Sequence, residues 1–384
     1  MKKTVAVFFG GRSTEHDISI ITAISAIIKP LELLKKYSVI PVYIAKDGAW
    51  YSDKKLKNIK LYQSGKIDEF CKKSNPVLVS FDGGLAFQKK GRGKKIRIDI
   101  AFPAMHGTYG EDGSLMGVLR MAGIPFVGSD MQSSVIAMDK VLSKQVAITN
   151  GIPTPRFISF SKNEFENQPE NVAEQAGARL SFPVFVKPAH LGSSIGITRV
   201  TDKKNLVNAI EVAAHYDDRI LVEEEVPNLI EVTVPVMGNN ELHTALVERP
   251  LSDKQKFFDF DAKYMHGGKK KSGAKTAGAQ GYSELPAKIP QKLYDKSIET
   301  AKAVYKATGA SGLSRIDLLI DEKSETVYFN EINPLPGSLY VHNWRRTGIS
   351  GVQLVDKLVE LAEERFATKQ KIENTFPTSF LKQF

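Results

Sequence analysis

The hydrophobic pattern of the chain begins with a short apolar run that ends in two glycines. Residues 5–9 are all apolar, Gly10 and Gly11 follow, and apolar residues then recur at helical spacing over 18–34. A buried strand, a glycine turn and an amphipathic helix in this order form the first unit of a doubly wound α/β domain. The turn lacks the full glycine fingerprint of dinucleotide-binding proteins, so it supports an NAD site only weakly.

Further apolar runs extend this α/β architecture along the chain. The strands predicted after the first unit are residues 39–44, 77–81, 96–102 and 125–128. Helical periodicity over 133–149 predicts one helix, which the glycine and proline residues of 151–155 end. Alternating strands and helices in a chain of 384 residues indicate two or three α/β domains.

Two β-rich runs between residues 314 and 333 predict an antiparallel hairpin around a polar turn. Asp317 lies near the start of the first strand, while Glu331 and Asn333 end the second strand on one face. Carboxylate and amide oxygens beside the guanidinium of Arg315 suit Mg²⁺ that bridges nucleotide phosphates. The alternative is a surface hairpin whose carboxylates are simply solvated.

A second strand-and-turn pattern carries a lysine. An apolar run ends in Lys187, and the small residues of 192–196, among them Ser193 and Ser194, form a flexible turn. Glycine and serine let backbone amides and hydroxyls approach phosphate oxygens, and the lysine adds a point charge. The lysine precedes the glycines, so the pattern is not a P-loop, and similar turns are common in proteins without a ligand there.

Polar residues next to other predicted strands form a further group of candidates. Glu15 lies where the first helix would begin, either capping that helix or facing the ligand crevice of the sheet. His106 follows another strand in a glycine-rich loop that also contains Glu111. Glu223 ends a strand and Glu231 precedes the next, where they could hold adenine and ribose or form a solvated acidic turn.

Residues 253–280 are polar, rich in glycine and lysine, and include Lys263 and Tyr264. A stretch of this length without apolar periodicity is typical of a lid or a disordered linker. Its lysines would attract a triphosphate if a lid closed over one. The last residues, 369–384, are expected to form a loosely held tail.

Composition narrows the classes of function. The hydrophobic content of 42% is ordinary for a soluble globular protein, and no apolar run approaches the length that spans a bilayer, so the cytoplasm is the default compartment. The single cysteine, Cys71, excludes an intrachain disulfide and a cysteine-based metal site. The net charge of +10 would suit nucleic acid, but the basic residues are scattered, and an anionic small substrate explains part of the charge equally well.

Taken together, these stretches resemble the D-alanine–D-alanine ligases of the ATP-grasp superfamily over about residues 1–365. The stretches that carry the resemblance are residues 7–15, 106–113, 138–144, 186–196, 259–264, 315–317 and 331–337. The resemblance implies a three-domain ATP-grasp fold with an N-terminal Rossmann-like, doubly wound domain. The expected divisions are a substrate domain (1–128), a central ATP-grasp subdomain (129–223), and a C-terminal ATP-grasp subdomain with the lid and tail (224–384).

The resemblance also implies a reaction, the ATP-dependent joining of two D-alanines for peptidoglycan precursor synthesis. ATP phosphorylates the carboxylate of the first D-alanine, and the amine of the second attacks the acylphosphate. Mg²⁺ (or Mn²⁺) is the implied metal and a homodimer the implied assembly, with no nucleic acid or membrane involved. The implied metal ligands are Asp317, Glu331 and Asn333, and the implied ATP-binding residues are Lys140, Lys187, Ser194, Glu223, Glu231 and Lys263. The implied catalytic residues form two groups. Glu15 would bind the ammonium group of the first D-alanine, and Ser193 and Tyr264 would form hydrogen bonds with it that hold the lid shut. His106, Arg315 and the N–H of Gly337 would lie at the reacting carboxyl group.

The main departure from the family pattern follows the hairpin. Typical members have a serine five residues after Gly337 that binds the second substrate's carboxylate, whereas this chain has His342 followed by Asn343. His342 could hold a carboxylate, or the pocket could suit D-serine, D-lactate or another amine as the acceptor. Tyr264 is replaced in related depsipeptide-forming ligases, so its presence favours a dipeptide product. A basic nucleic-acid-binding protein is the alternative from a different class.

Overall fold

The computed structural model describes residues 2–81, 83–89, 95–192, 194–251, 283–373, 375 and 377–383. Its strands are β1 Lys3–Gly10, β2 Tyr37–Ile44, β3 Trp50–Tyr51, β4 Val77–Ser80, β5 Leu85–Lys89, β6 Ile96–Ile98, β7 Ile100–Pro103, β8 Phe157–Ser161, β9 Val184–Pro188, β10 Thr198–Val200, β11 Arg219–Glu224, β12 Leu229–Gly238, β13 Leu242–Thr244, β14 Arg249–Pro250, β15 Ser283–Glu284, β16 Gly312–Asp321 and β17 Thr326–Asn333. Its helices are α1 His16–Ile21, α2 Lys29–Leu33, α3 Ile59–Gln63, α4 Ile67–Lys73, α5 Ser114–Met121, α6 Met131–Met138, α7 Lys140–Thr149, α8 Lys162–Asn167, α9 Pro169–Arg179, α10 Leu206–Tyr216, α11 Gln291–Ala307, α12 Val341–Arg346 and α13 Gly351–Lys369. A π-helical stretch, Thr22–Ile28, joins α1 to α2, and short 3₁₀ turns lie at Lys54–Lys57, Lys203–Asn205, Gly337–Tyr340 and Phe380–Gln383.

The N-terminal sheet has the strand order β3-β2-β1-β7, with β1 parallel to both β2 and β7. The backbone conformation of the turn after β1 requires glycine at position 10. Gly10 has φ +90°, and a Cβ atom on it would lie 2.3 Å from the carbonyl oxygen of Ile44. The predicted unit of strand, glycine turn and helix is therefore confirmed, and it directs the start of α1 towards the carboxyl end of the sheet.

Two further sheets come from later, consecutive parts of the chain. Their strand orders are β10-β9-β11-β8 and β13-β12-β16-β17, and the pairs within them are antiparallel. The predicted hairpin is confirmed as β16 and β17, with Arg315 opposite Asn333 and Asp317 opposite Glu331. The α/β fold class is confirmed as well, whereas the domain boundaries at 128 and 223 stay a prediction.

The single helix predicted over 133–149 is wrong, because the chain breaks it at Asp139. Asp139 has extended backbone angles (φ −87°, ψ 107°), and its carboxylate accepts N–H bonds from Val141 (2.8 Å) and Leu142 (2.9 Å). A side chain that satisfies the free amides of a helix start favours a new helix at that point. The result is α6 and α7, the second of which begins with Lys140.

Three strand predictions for the N-terminal domain are wrong in part. Residues 77–81 form β4, but this strand belongs to a separate antiparallel sheet with β5 and β6. The predicted strand 96–102 is split at Asp99, whose carboxylate accepts the N–H of Thr4 at 2.7 Å. Residues 125–128 make only one bridge, between Phe126 and Ala101, instead of a strand.

One apolar core links the N-terminal domain to the end of the chain. It packs Phe9 and Ile24 of the first unit with Leu339 and Trp344 after the hairpin and with Leu358 of α13. Residues from the first unit and from α13 therefore share one buried cluster, and this cluster packs the turn after β17 against the helix that follows β1. None of the helices in the described part of the chain is long and apolar enough to cross a membrane.

Candidate active site

Two adjoining hollows lie where the three larger sheets meet, with volumes of about 780 and 650 Å³ that include open solvent. The predicted residues that line the first are Glu15, His106, Lys140, Arg315, Glu331, Asn333 and Gly337. Those that line the second are Lys140, Lys187, Ser194, Glu223, Glu231 and Glu331. The structure therefore brings candidates from distant parts of the sequence into one cleft. Ser193, Lys263 and Tyr264 lie outside the described residues.

The hairpin forms one wall of this cleft. Arg315 holds Asp317 through two parallel bonds, from Nε (2.7 Å) and from the terminal nitrogen (2.5 Å), and the guanidinium lies 5.5 Å from the centre of the Tyr340 ring. The side-chain amide of Asn333 donates to Asp317 across the strands at 3.2 Å. The antiparallel register thus gathers one guanidinium, one amide and the carboxylates of Asp317 and Glu331 at the same end of the hairpin.

A buried trio of charges joins α7 to two strands of the central sheet, β9 and β11. Glu223 has one oxygen 2.5 Å from Nζ of Lys144 and the other 2.6 Å from Nζ of Lys187. Lys144 is fully buried and Glu223 is 1% exposed. Burial alone would raise the pKa of Glu223, but the two ammonium groups outweigh it, so the pKa lies below its ordinary value. Sequence reasoning assigned Lys144 no role of its own, because only the fold shows that it reaches Glu223.

Lys140 connects three parts of the cleft. It begins α7, its Nζ donates to the carbonyl of Leu191 at 2.6 Å, and the same atom lies 3.5 Å from Glu331. The lysine therefore spans from the central sheet and its glycine-serine turn to the hairpin. It lines both hollows, so it faces the space where they join.

His106 and Glu111 lie at the inner end of the first hollow. Burial lowers the pKa of His106, and it raises the pKa of Glu111 to about 8. Glu111 accepts the backbone N–H of Gly107 at 2.7 Å and that of Leu335 at 3.3 Å, while its oxygen is 3.9 Å from Nδ1 of the histidine. Glu111 therefore supports the backbone around His106 instead of bonding to its ring.

The residues that depart from the family pattern bind a neighbouring strand segment. Nε2 of His342 lies 2.9 Å from Glu248, a fully buried carboxylate. The side chain of Asn343 accepts the N–H of Leu246 at 3.0 Å and donates to Glu248 at 3.2 Å. Although burial alone would raise the pKa of Glu248, His342 holds it below its ordinary value. No feature of the sequence pointed to Glu248.

A doubly wound N-terminal sheet, followed by two antiparallel sheets around a cleft of lysines and carboxylates, is the arrangement of the ATP-grasp ligases. Comparison with family models narrows this class. The model described as D-ala D-ala ligase N-terminus matches residues 4–129, and that described as D-ala D-ala ligase C-terminus matches residues 146–360. The chain belongs to the D-alanine–D-alanine ligase family, whose members are ATP-dependent ligases.

Individual relatives agree with this assignment. The chain is 36% identical to a D-alanine–D-alanine ligase of Caldicellulosiruptor bescii, covering 97% of this chain and 98% of the relative. It is 37% identical to the ligase of Chlorobium limicola, covering 95% and 98%. Among solved structures, the D-alanine–D-alanine ligase of Coxiella burnetii is 26% identical with a TM-score of 0.77, covering 96% of this chain and 98% of that one. The VanG D-Ala:D-Ser ligase of Enterococcus faecalis is 32% identical with a TM-score of 0.76, covering 94% and 100%.

Proposed function

We propose that this chain uses ATP to join two D-alanines into D-alanyl-D-alanine, for peptidoglycan precursor synthesis. The observation that carries the proposal is the shared cleft of a family member, in which Lys140 lines both a hollow beside Lys187 and Glu223 and a hollow beside Glu15 and Arg315. A phosphoryl group bound near this lysine would lie between the two. Its transfer needs positioning and charge neutralisation more than covalent chemistry by the protein.

The second hollow is the proposed ATP site. Lys187 and Lys140 would neutralise phosphate oxygens, and Ser194 would donate to them from the turn after β9. Glu223 and Glu231 would meet the adenine amine and the ribose hydroxyls. The roles expected for Ser193, Lys263 and Tyr264 stay predictions.

The donor set of the hairpin fits a hard divalent cation. Asp317, Glu331 and Asn333 offer oxygen ligands from two paired strands, and carboxylate and amide oxygens are the donors that such a cation prefers. These three residues would hold Mg²⁺ (or Mn²⁺), which when bound neutralises and orients the phosphates of the nucleotide.

The first hollow is the proposed site of the two D-alanines. Glu15 would bind the ammonium group of the first, leaving its carboxylate near Lys140 and Arg315. That carboxylate attacks the γ-phosphorus of ATP, and ADP leaves. The amine of the second D-alanine then attacks the acylphosphate carbon, loses a proton, and expels phosphate. Arg315 and the N–H of Gly337 would stabilise the oxyanion that forms at this carbon.

A reaction driven by ATP supports the cytoplasm as the compartment of the enzyme, and the homodimer stays a prediction. The acceptor D-alanine is supported by the names of the relatives, although one structural neighbour is described as a D-Ala:D-Ser ligase. We therefore propose D-alanine as the acceptor, and D-serine and D-lactate are compared with it in the experiment below.

The test is phosphate release from ATP with single candidate substrates, followed by mass measurement of the product. D-alanine should cause release and yield the dipeptide, while L-alanine, as the stereochemical control, should cause none. D-serine or D-lactate incorporated in preference to a second D-alanine would contradict the proposed acceptor. No phosphate release with any D-amino acid would overturn the proposal.

A further inference from the structure

Thr22 lies between two loops of the proposed site. It is fully buried at the start of the π-helical stretch Thr22–Ile28. Its Oγ1 accepts the backbone N–H of Ser338 at 2.9 Å and lies 2.9 Å from Nε2 of His106. One hydroxyl therefore connects the N-terminal helix, the loop after β7 and the turn after β17.

The protons in this contact can be placed from their partners. The histidine ring also bonds the backbone carbonyl of Leu335, which can only accept, and since Nε2 faces Thr22 the nitrogen that donates is Nδ1. Because burial lowers the pKa of His106, the ring is neutral and carries this one proton. Nε2 is then an acceptor, and the Thr22 hydroxyl, which receives the N–H of Ser338, donates its own proton to it.

The same contacts hold the segment 335–338 at both ends. Leu335 is fixed through its N–H by Glu111 and through its carbonyl by His106, and Ser338 is fixed by Thr22. Gly337 lies between these anchors and lines the first hollow. The turn that follows needs such anchors, because Ser338 (φ +50°) begins a run of three non-glycine residues in the left-handed region.

We propose that Thr22 is a positioning residue of the acyl-transfer step, whose hydroxyl fixes both the Gly337 amide and the proton placement on His106. The inference rests on the proposed function, in which the Gly337 N–H faces the developing oxyanion. Without the hydroxyl, the N–H of Ser338 and Nε2 of His106 lose a shared partner in a buried region. The turn can then rotate and move the Gly337 amide away from the reacting carbon.

The test is a pair of substitutions that separates the hydroxyl from the packing. Thr22→Val keeps the shape and removes the hydroxyl, so kcat should fall about 10- to 100-fold, the effect of moving a reacting group by about 1 Å. The KM for ATP should stay within about twofold, since the phosphate residues are untouched. Thr22→Ser keeps the hydroxyl and should recover kcat to within about threefold of the wild-type protein.

The matched control is Thr308→Val, which removes the hydroxyl of another buried threonine whose bonds go to helix carbonyls. It should leave kcat unchanged. A second readout needs no turnover: ¹⁵N-detected histidine spectra, with the His106 signals among the seven histidines assigned through His106→Gln. These spectra should show the proton on Nδ1 of His106 in the wild-type protein and in Thr22→Ser, and a changed distribution of the proton between the two ring nitrogens in Thr22→Val.

Unchanged kcat and unchanged His106 signals in folded Thr22→Val would overturn the inference, and so would an Nε2–H ring in the wild-type protein. If Thr22→Val does not fold, the serine variant decides, because loss of turnover or of the Nδ1–H signal with the hydroxyl present would also overturn it. Failure of the proposed function is distinguishable, since it would show as no D-alanine-dependent phosphate release by the wild-type protein, whatever the spectra show.

Discussion

The buried trio of Lys144, Glu223 and Lys187 makes a sharp prediction about stability. Glu223→Gln keeps the shape of the side chain but removes the negative charge that contacts two ammonium groups, at 2.5 and 2.6 Å. Lys144 is fully buried and cannot turn to solvent. The variant should therefore be destabilised mainly because a buried ammonium group loses the carboxylate that contacts it.

The loss of folding stability depends on which charged groups stay buried after each substitution. Removing one partner of a buried ion pair costs about 3–5 kcal/mol, which is the expectation for Glu223→Gln. Lys144→Met should cost less, about 1.5–3 kcal/mol for one charge-assisted hydrogen bond, because Lys187 still pairs with Glu223. In the double variant the fully buried ammonium group is gone, so the two changes should cost less together than separately, with a coupling energy of about 2 kcal/mol.

The assay is urea unfolding of the four proteins, followed by circular dichroism at pH 7. The lysines hold the pKa of Glu223 below its ordinary 4.5, so its stabilising contribution is fully present above that pH and is lost only as the pH falls through the lowered value. Glu363→Gln, which breaks the exposed pair with Lys3, is the control and should change stability by less than about 1 kcal/mol. Costs of Glu223→Gln and Lys144→Met that add within about 0.5 kcal/mol would refute the reasoning.

Three further substitutions test other parts of the site and its frame. Glu331→Gln should lower turnover about 100-fold or more with an unchanged urea midpoint, because an amide is a weaker ligand for Mg²⁺ than a carboxylate; wild-type turnover would refute the metal assignment. Burial raises the pKa of Glu111 to about 8, above its ordinary 4.5, so the folded protein holds an extra proton and loses stability as the pH rises between these values. Between pH 5.5 and pH 8, the urea midpoint of Glu111→Gln should fall less than that of the wild-type protein. An equal fall in the two proteins would contradict this placement of the proton. Bonds to Asp139 and Asp217 raise the pKa of His190 to about 10, so its contribution is complete below pH 6.5 and is lost towards pH 10. Because the His190 side chain is 41% exposed, screening limits the loss in His190→Gln at pH 6 to about 1 kcal/mol, and equal urea midpoints there would argue against the pair.

The elements that could be predicted from the sequence are those whose signals are local. The hairpin of β16 and β17 follows from two apolar runs around a polar turn, and the period of two places Glu331 and Asn333 on one face. The glycine turn after β1 follows from a strand ending in Gly10, where a side chain would strike the carbonyl of Ile44. The break at Asp139 was local as well, since aspartate is a preferred residue before a helix start, but the apolar periodicity on both sides hid it.

The remaining contacts join residues that no local pattern relates. Lys144 and Glu223 are 79 positions apart, and Thr22 and Ser338 are 316 positions apart. In the sequence, Lys144 follows Lys140 by one helical turn and looks like a solvent-exposed lysine. Thr22 lies among apolar helix residues and looks like an ordinary core residue. Their roles depend on how three sheets pack together, which the spacing of apolar residues does not determine.

The departure from the family pattern can also be placed in the fold. His342 and Asn343 bind Glu248, which immediately precedes β14, and β14 pairs with β15 on the far side of residues 252–282. These contacts therefore tie the turn after the hairpin to the base of the predicted lid, while Arg315 and Asp317 keep the bonds described above. We therefore predict that a change at His342 affects how the predicted lid and the second substrate meet, and that it leaves Arg315 and Asp317 in place. Since Nε2 of His342 already contacts Glu248, this ring could bond a carboxylate of the second substrate only through a protonated Nδ1, and we predict that acceptor preference depends on how Glu248 orients the ring.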